Sequence, residues 1–568
     1  MFITLPKEYT QFQHWNWEQF KPFAENLVSR EISAQNVNAW LTDWSDLSRV
    51  LSEMQCRLYV AITVDTTDKE SKDRYNAYLD GIYPQAQMLH QQCKEKLLAS
   101  GLEPEGMNMP ILHMRAEAEI YREANLPLLA EEFKLGSEYD ELIGAQTVEW
   151  DGKELTIAQL QPYYLLQDRT VREQVWRLGM ERQLADREKI NDLWKRFMQV
   201  RAEITANTGL PDYRAFMWKT YHRYDYTPKD CYSFHAAIEQ EVVPVMRRIY
   251  ERRRQRLGVT TLRPWDKDVD VLGRDPLKPY QTTRELEEKA ATIFHKVDPQ
   301  LGGYFDLMRR QGLLDLENRK GKAPGAYCIG FDSTRLPFMF ENAVGLHDDV
   351  ATVLHEAGHA FHAFESYPLP YHQQLTVGME IAEVASMAME LLASPYLTVD
   401  QGGYYSAKDA ARARIEHLES ALLFWPYMAV VDAFQHWVYE NHTTASQPAN
   451  CDAKWSELWE RFMAGVDYSG LEEHVSTGWQ RKGHIFQVPF YYVEYGLAQL
   501  GAFQVWRNAL QDQAGAVAAY RRALALGGTA PLPALYAAAG AKFAFDAETL
   551  GAMVRLADGV IAELEQVE

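Results

Sequence analysis

The stretch LHEAGHAFHAFE, residues 354–365, decides the reading of this chain, together with GMEIAEVASMAMELL, residues 378–392. The first places His355, Glu356 and His359 in an HExxH arrangement, and the second carries Glu380, Glu383 and Glu390. In a helix the two histidines stand one turn plus about 40° apart, with roughly 6 Å of rise, so both imidazoles reach one cation from the same face. Two neutral imidazoles and a carboxylate leave the fourth tetrahedral position of zinc open for water, as a catalytic site requires. Glu356 points about 100° round the helix and can reach that water without binding the metal.

The competing reading of HExxH is a salt-bridged surface helix, and its surroundings oppose that. Leu354, Ala357, Gly358, Ala360, Phe361, Ala363 and Phe364 leave few faces fit for water, so the helix is expected to be buried. Gly358 costs about 1 kcal/mol relative to Ala in mid-helix, which predicts a close neighbour there. Buried imidazoles and a buried carboxylate need partners, and a metal supplies them.

The third ligand does not come from the same helix. Six residues past His359 stands Glu365, with no glycine turn before it, and His362 lies about 10 Å along the axis from His355. His362 therefore reads as core or as support for a ligand. Glu380, Glu383 and Glu390 fall on one stripe among Ile, Val, Met and Ala. Glu383 is the expected ligand, Glu380 is expected to orient a zinc histidine, and Glu390 is a second supporting carboxylate.

Around this stretch the chain is 568 residues long, with a net charge of -21 that repels nucleic acid and anionic membranes. Five scattered cysteines without CxxC spacing predict reduced thiols and a cytoplasmic compartment. The opening MFITLPKEYTQFQHWNW has no basic segment followed by a long apolar run, so neither a signal peptide nor a membrane span is expected. No linker-like tract or repeat divides the chain, which favours one intertwined body or two lobes in close contact.

The first third reads as helices near 37–51, 69–100 and 111–134, with Trp15, Trp17, Trp40 and Trp44 packing them as a bundle. TVEWDGKELTI, residues 147–157, reads as a hairpin turning at Asp151-Gly152. Helix resumes through residues 168–209, and Thr227-Pro228 starts another expected to reach Leu257. The basic run RRIYERRRQRLG at its end reads as a solvated helix terminus.

GKAPGAYCIGFDSTRLPFMFENAVG, residues 321–345, is rich in turn residues and holds a short strand over 336–342. An extended peptide adding to the edge of that strand is one expected mode of recognition, with Phe340, Asn342 and Gly345 as contact candidates. Ser394-Pro395 stops the glutamate helix, and a long helix over 407–441 is expected to kink at Pro426.

LPFMFENAVGLHDDVATVLHEAGHAFH (336–362), EIAEVASMAME (380–390) and HIFQVPFYYVEYGLAQLG (484–501) together resemble the oligoendopeptidase F and Pz-peptidase branch of the thimet oligopeptidase family of zinc metallopeptidases. The likeness extends to GAYCIGFDSTRLPF, to RPWD at 263–266, and to much of the N-terminal half. It implies one Zn(2+) on His355, His359 and Glu383, with Glu356 as general base. It also implies that His484, Tyr491 and Tyr495, with Tyr492 as a further contact, hold the oxyanion and the substrate, although one extra residue separates the histidine from PFY. Met387 departs from the glutamine that many relatives carry, at a position that is not a ligand.

The implied fold is mainly α: a large helical two-lobed body with a small β-sheet and hairpins beside the zinc helix and a deep substrate channel. A helical N-terminal region over 1–205, with the hairpin near 146–157, would pack on a catalytic domain over 206–568. The implied activity is endopeptidase cleavage of short unstructured peptides. Two rivals are a zinc carboxypeptidase, which needs a cationic clamp for a free carboxylate and for which only a lone Arg such as Arg335 offers itself, and a non-catalytic peptide-binding protein, which should have lost Glu356 or a ligand.

Overall fold

The computed structural model describes residues 5–567. Its mainly α character is plain, with 71% helix and strands confined to two small sheets. The expected hairpin forms from β1 (Thr147–Trp150) and β2 (Lys153–Thr156), paired antiparallel. Asp151 and Gly152 take φ of 50° and 70°, the left-handed pair that a two-residue hairpin turn needs.

Several helices expected to be continuous restart part-way. The 69–100 run is two helices, Lys69–Gly81 and Tyr83–Ser100. The 111–134 run becomes Asn108–Ile120 and Leu126–Gly144, and the 228–257 run becomes Pro228–Glu241 and Val243–Leu257. Pro84, Pro127 and Pro244 lie in the first turn of each second helix, where the missing N–H costs nothing, while the ring would clash with a preceding helical carbonyl. Ala407–Glu440, by contrast, runs through the buried Pro426 without a break.

Two large apolar cores, with two small satellite clusters, form among the described residues. Phe20, Trp40, Trp44, Leu47, Cys93 and Met107 centre the N-terminal one, with Trp15 and Trp17 packed on its margin. The larger core runs from Leu135 to Ile561 and encloses the HExxH and glutamate segments. All five cysteines are free thiols. Among the described residues no helix is long and apolar enough to cross a membrane.

The second sheet positions the site. Its order is β3 (Leu314–Glu317), β5 (Leu336–Ala343), β4 (Tyr327–Phe331), so β5 is the central strand, parallel to β3 and antiparallel to β4. This corrects the expectation that a peptide adds to the 336–342 strand. Both edges of β5 are already paired, and β4 presents an outer edge instead. The long N-terminal helix Val37–Val64 braces β4 and the turn after it: Ser52 donates to Asp332 at 2.7 Å, and Glu53 accepts from the Thr334 N–H at 2.7 Å.

Glu341 on β5 is 3% exposed, and neither of its carboxyl oxygens has a hydrogen-bond partner. Burial, reinforced by Asp349 and Glu356, pushes it up to about 9. The folded chain therefore keeps a proton that the unfolded chain releases near an ordinary carboxyl value of 4.5. The stability this proton supports is complete below that value and erodes as pH rises toward 9. Glu341→Gln should accordingly raise the melting temperature at pH 8 and change it little at pH 5, as scanning calorimetry at the two pH values would show.

Candidate active site

The HExxH helix, His347–Ser366, is launched by one carboxylate. Asp349 Oδ2 accepts the N–H groups of Val344, Gly345 and Leu346 at 3.0, 2.8 and 2.7 Å, and the Tyr280 hydroxyl also donates to it. These bonds satisfy donors at the helix start and place negative charge at the positive end of its dipole. Gly345, at φ 93°, makes the turn from β5 that such a cap requires.

The glutamate helix, Met379–Ala393, crosses the first at Gly358. A Cβ there would lie 2.4 Å from the Ala385 carbonyl oxygen and 2.5 Å from the Ser386 Cα. That approach brings Glu383 Oε2 to 3.5 Å from His355 Nε2 and 3.9 Å from His359 Nε2. All three ligand atoms lie within 4.8 Å of one another. Tetrahedral coordination at about 2.0–2.2 Å implies donor separations of roughly 3.3–3.6 Å, so this set fits a zinc-sized cation with slight contraction. The Ser386 hydroxyl donates to the same Glu383 oxygen at 3.0 Å and steadies it.

Charge in the site is arranged in pairs. Glu390 lies two turns beyond Glu383 on the same stripe, 2.8 Å from His355 Nδ1 and 3.2 Å from His417 Nε2. Burial alone would raise Glu390, but the two imidazoles outweigh it and hold the carboxyl at about 2. Burial likewise works against a charge on His355, yet Glu390, then Glu383 and Glu356, lift it to about 9. His359 is partly exposed, yet desolvation, with the His355 cation beside it, lowers it to about 3. Glu356 is 7% exposed, and its Oε2 is buried without a partner. Desolvation raises it to about 7, offset in part by His355 and by the Cys328 N–H of β4, which donates toward the carboxyl.

A second group closes over these residues. His484, on the short helix Gly483–Gln487, has its ring 5.0 Å from Tyr492 and 6.2 Å from both Tyr491 and Tyr495. Burial, with Lys482 nearby, lowers His484 to about 4, so it is a neutral imidazole near pH 7. Burial raises the Tyr491 and Tyr495 hydroxyls, with Glu383 adding to the effect, so both remain protonated donors. Phe490, just before them, is held at φ 68°, with its N–H donated to Gln435 and its carbonyl accepting from Arg223 at 2.6 Å. Non-glycine backbone in that region is costly and persists only where its surroundings impose it.

The structure thus brings together His355, Glu356, His359, Glu383, Glu390, His484, Tyr491, Tyr492 and Tyr495. It does not bring Glu380 to a zinc histidine. Glu380 accepts from the Tyr226 hydroxyl at 2.8 Å and faces Arg223 at 4.0 Å, while Glu390 takes the orienting position on His355. One helical turn separates Glu380 from Glu383, enough to aim it at a different neighbour. Three peptide-contact candidates also have other work. Phe340 is fully buried and stacked on Tyr327, Asn342 donates to the Ala323 and Gly325 carbonyls, and the Gly345 N–H belongs to the Asp349 cap. Arg335 lies at the β4–β5 turn among Leu5, Lys7, Asp43 and Ser333, away from the metal-ligand cluster.

Sequence reasoning missed His417 and Arg223. Arg223 is buried and bonds Glu494 Oε1 at 2.5 Å, tying the tyrosine helix Tyr492–Gln511 to the strained Phe490. Neither carries a local signal, because each acts through a residue more than a hundred positions away or on another helix. Cys231, Asp432 and His436 also converge, on Pro228–Glu241 and Ala407–Glu440. Hydrogen bonds satisfy only part of that cluster, since His436 Nε2 and Asp432 Oδ1 are buried without a hydrogen-bond partner. Arg214 can only donate to His436 Nδ1, 3.1 Å away, which leaves the proton on Nε2, facing Asp432 at 3.4 Å, while His235 bonds the same carboxylate at 2.8 Å.

The family model "Peptidase family M3" matches residues 163–555, and "Peptidase M3 N-terminal domain" matches residues 8–107. The chain belongs to peptidase family M3. Within M3 it is similar to an oligoendopeptidase F homolog of Lactococcus lactis subsp. lactis, 29% identical over 148 residues that cover 26% of this chain and 24% of the relative. A further oligoendopeptidase F homolog, from Borreliella burgdorferi, is 23% identical over 297 residues, 51% of this chain and 48% of that protein. These matches span about a quarter to a half of the curated relatives' length. Among solved structures, Pz peptidase A with inhibitor 2 superposes with a TM-score of 0.86 at 28% identity, covering 98% of this chain and 99% of that one. Oligoendopeptidase-F from Enterococcus faecium shares the fold, with a TM-score of 0.61 at 15% identity over 97% and 98% of the two chains. The resemblance read from the motifs, to the oligoendopeptidase F and Pz-peptidase branch, stands on these findings.

The Gly358 crossing yields a direct test of this M3 site. The atoms facing a new Cβ are backbone and cannot swing aside, so Gly358→Ala must part the two helices. The expected loss is about 1–3 kcal/mol of stability, typical of overpacking, with a fall in bound metal as Glu383 withdraws from the histidines. Denaturant unfolding and metal content of the purified variant measure the two effects.

Proposed function

We propose that this M3 chain is a zinc-dependent oligoendopeptidase that hydrolyses internal bonds of short, unstructured peptides. The observation that carries the reading is the Glu356 carboxyl, buried with a free oxygen beside three converging metal-ligand atoms. The relatives' oligoendopeptidase names and the likeness to Pz peptidase A support it.

His355 Nε2, His359 Nε2 and Glu383 Oε2 would hold the zinc. When bound, zinc supplies Lewis acidity, drawing the pKa of a water toward 7 and polarising a carbonyl. Glu356 accepts a proton from the attacking water at a carboxyl oxygen and passes it to the departing amine. Burial raises this carboxyl, and the charge of a bound zinc would lower it again, favouring the carboxylate form that takes the proton of the water. Glu390 fixes the ring and tautomer of His355 through Nδ1, as a carboxylate behind a ligating histidine does. Tyr491, Tyr495 and neutral His484 offer O–H and N–H donors to the oxygen that gains charge as the carbonyl becomes tetrahedral. The outer edge of β4, adjoining Glu356 through Cys328, offers main-chain groups to an extended peptide, a mode tolerant of varied side chains.

Glu356→Gln should retain zinc and peptide binding while lowering kcat about 10²–10⁴-fold, the usual scale for loss of a general base. With a peptide blocked at both ends, mass spectrometry should find internal cuts that a chelator abolishes and zinc restores. Trimming confined to free C-termini would identify a carboxypeptidase instead, and the absence of any cleavage by the zinc-loaded protein would leave a peptide-binding protein.

A further inference from the structure

A cavity of about 410 Å³ opens beside the metal-ligand cluster and shares Glu390, His484, Tyr492 and Tyr495 with the site. Met387, Leu391, Ala421, Phe424 and Phe503 make most of its wall apolar. Into this wall projects Lys482. Its Nζ donates to the Tyr492 hydroxyl at 2.9 Å and lies 4.2 Å from the centre of that ring and 5.5 Å from the ring of Tyr427. An ammonium has three N–H donors, and aromatic faces only partly replace its hydration. Among the described residues no carboxylate lies within ion-pairing distance of it. Glu390, the other charged group on the same wall, is already matched by His355 and His417.

We propose that Lys482 is a substrate-recognition residue that receives a carboxylate of the bound peptide, supplied by the C-terminus or by an Asp or Glu side chain close to the cut bond. The proposal rests on the peptidase reading and gives it a substrate class: short peptides carrying a negative charge within reach of this cavity. Burial lowers the Lys482 amine to about 8, so it remains mostly a cation near pH 7 but a poorly solvated one, which a carboxylate would stabilise. The protein's net charge of -21 repels anionic peptides at long range, so an anionic end needs a local cation to dock at the centre. Met387, placed by sequence as a departure from the family pattern, forms part of the apolar wall of the same cavity.

The test compares one short peptide in four forms: C-terminal acid or amide, each with Glu or Gln two residues from the cut. Binding to zinc-loaded Glu356→Gln protein by titration calorimetry needs no turnover, and kcat/KM on the wild type supplies the second readout. Removing the relevant carboxylate should weaken binding and kcat/KM about tenfold or more, mainly through KM, and the acid–amide and Glu–Gln arms identify its source. In Lys482→Met the preference should vanish, and in Lys482→Arg it should persist. Equal binding of all four forms by the unaltered cavity overturns the proposal even if Lys482→Met fails to fold, and so does a preference that survives in a folded Lys482→Met. Cleavage of none of the peptides, with a carboxylate preference still present in calorimetry, would overturn the peptidase reading while leaving the cation's role standing.

Discussion

Everything at this centre depends on two helices touching backbone to backbone. Gly358, the one residue of HExxH without a side chain, lets the helix His347–Ser366 settle directly on Ala385 and Ser386 of Met379–Ala393. With the backbones in contact there, Glu383 reaches both imidazoles of the other helix. The small residues Ala382, Ala385, Ser386 and Ala388 on the second helix serve the same end, leaving room for the first helix to descend.

Around that contact, buried charge is sorted into compensated and uncompensated groups. Glu390 is shared by two histidines, and Asp349 is saturated by a helix cap. Each is a buried carboxylate that would otherwise carry a large desolvation cost. Glu341, Glu356 and Lys482 are not matched in this way, and their pKa values move accordingly. Glu356 and Lys482 stand at the two places where an added molecule would arrive. Groups left unsatisfied by the fold are the ones with capacity to bind or to exchange a proton. Glu341 and Glu494 are the exceptions: Glu341 is an unpaired acid behind the site that stays protonated rather than charged, and Glu494 meets Arg223 with one oxygen while its buried Oε2 has no partner and burial raises the group.

Sequence reasoning succeeded wherever a local rule was sufficient. Asp151-Gly152 fixed a hairpin because only a left-handed pair closes a two-residue turn, and Ser394-Pro395 ended the glutamate helix where expected. It faltered at Pro84, Pro127 and Pro244, where amphipathic runs continued across a proline that marks a new first turn. It also treated the 336–342 segment as an edge strand, since nothing local reveals that β3 and β4 both pair with it. The choice between Glu380 and Glu390 as the support for His355 failed for a related reason: both lie on one stripe, and only the neighbouring elements distinguish them.

The sequence by itself determined the metal-ligand candidates, because the 3.6-residue period fixes which side chains share a helix face and HExxH leaves two imidazoles and a carboxyl few alternatives. Individual helical runs were legible for the same reason, periodicity being a property of neighbours along the chain, while the mainly α class came from the family resemblance. The tertiary structure decided which carboxylate meets which histidine, which strand keeps a free edge, and which cation stands unpaired in a cavity. Those depend on packing between separate elements, which no local period records. Arg223 meeting Glu494, or Val37–Val64 bracing the β4–β5 turn, leaves no trace in the local pattern of either partner.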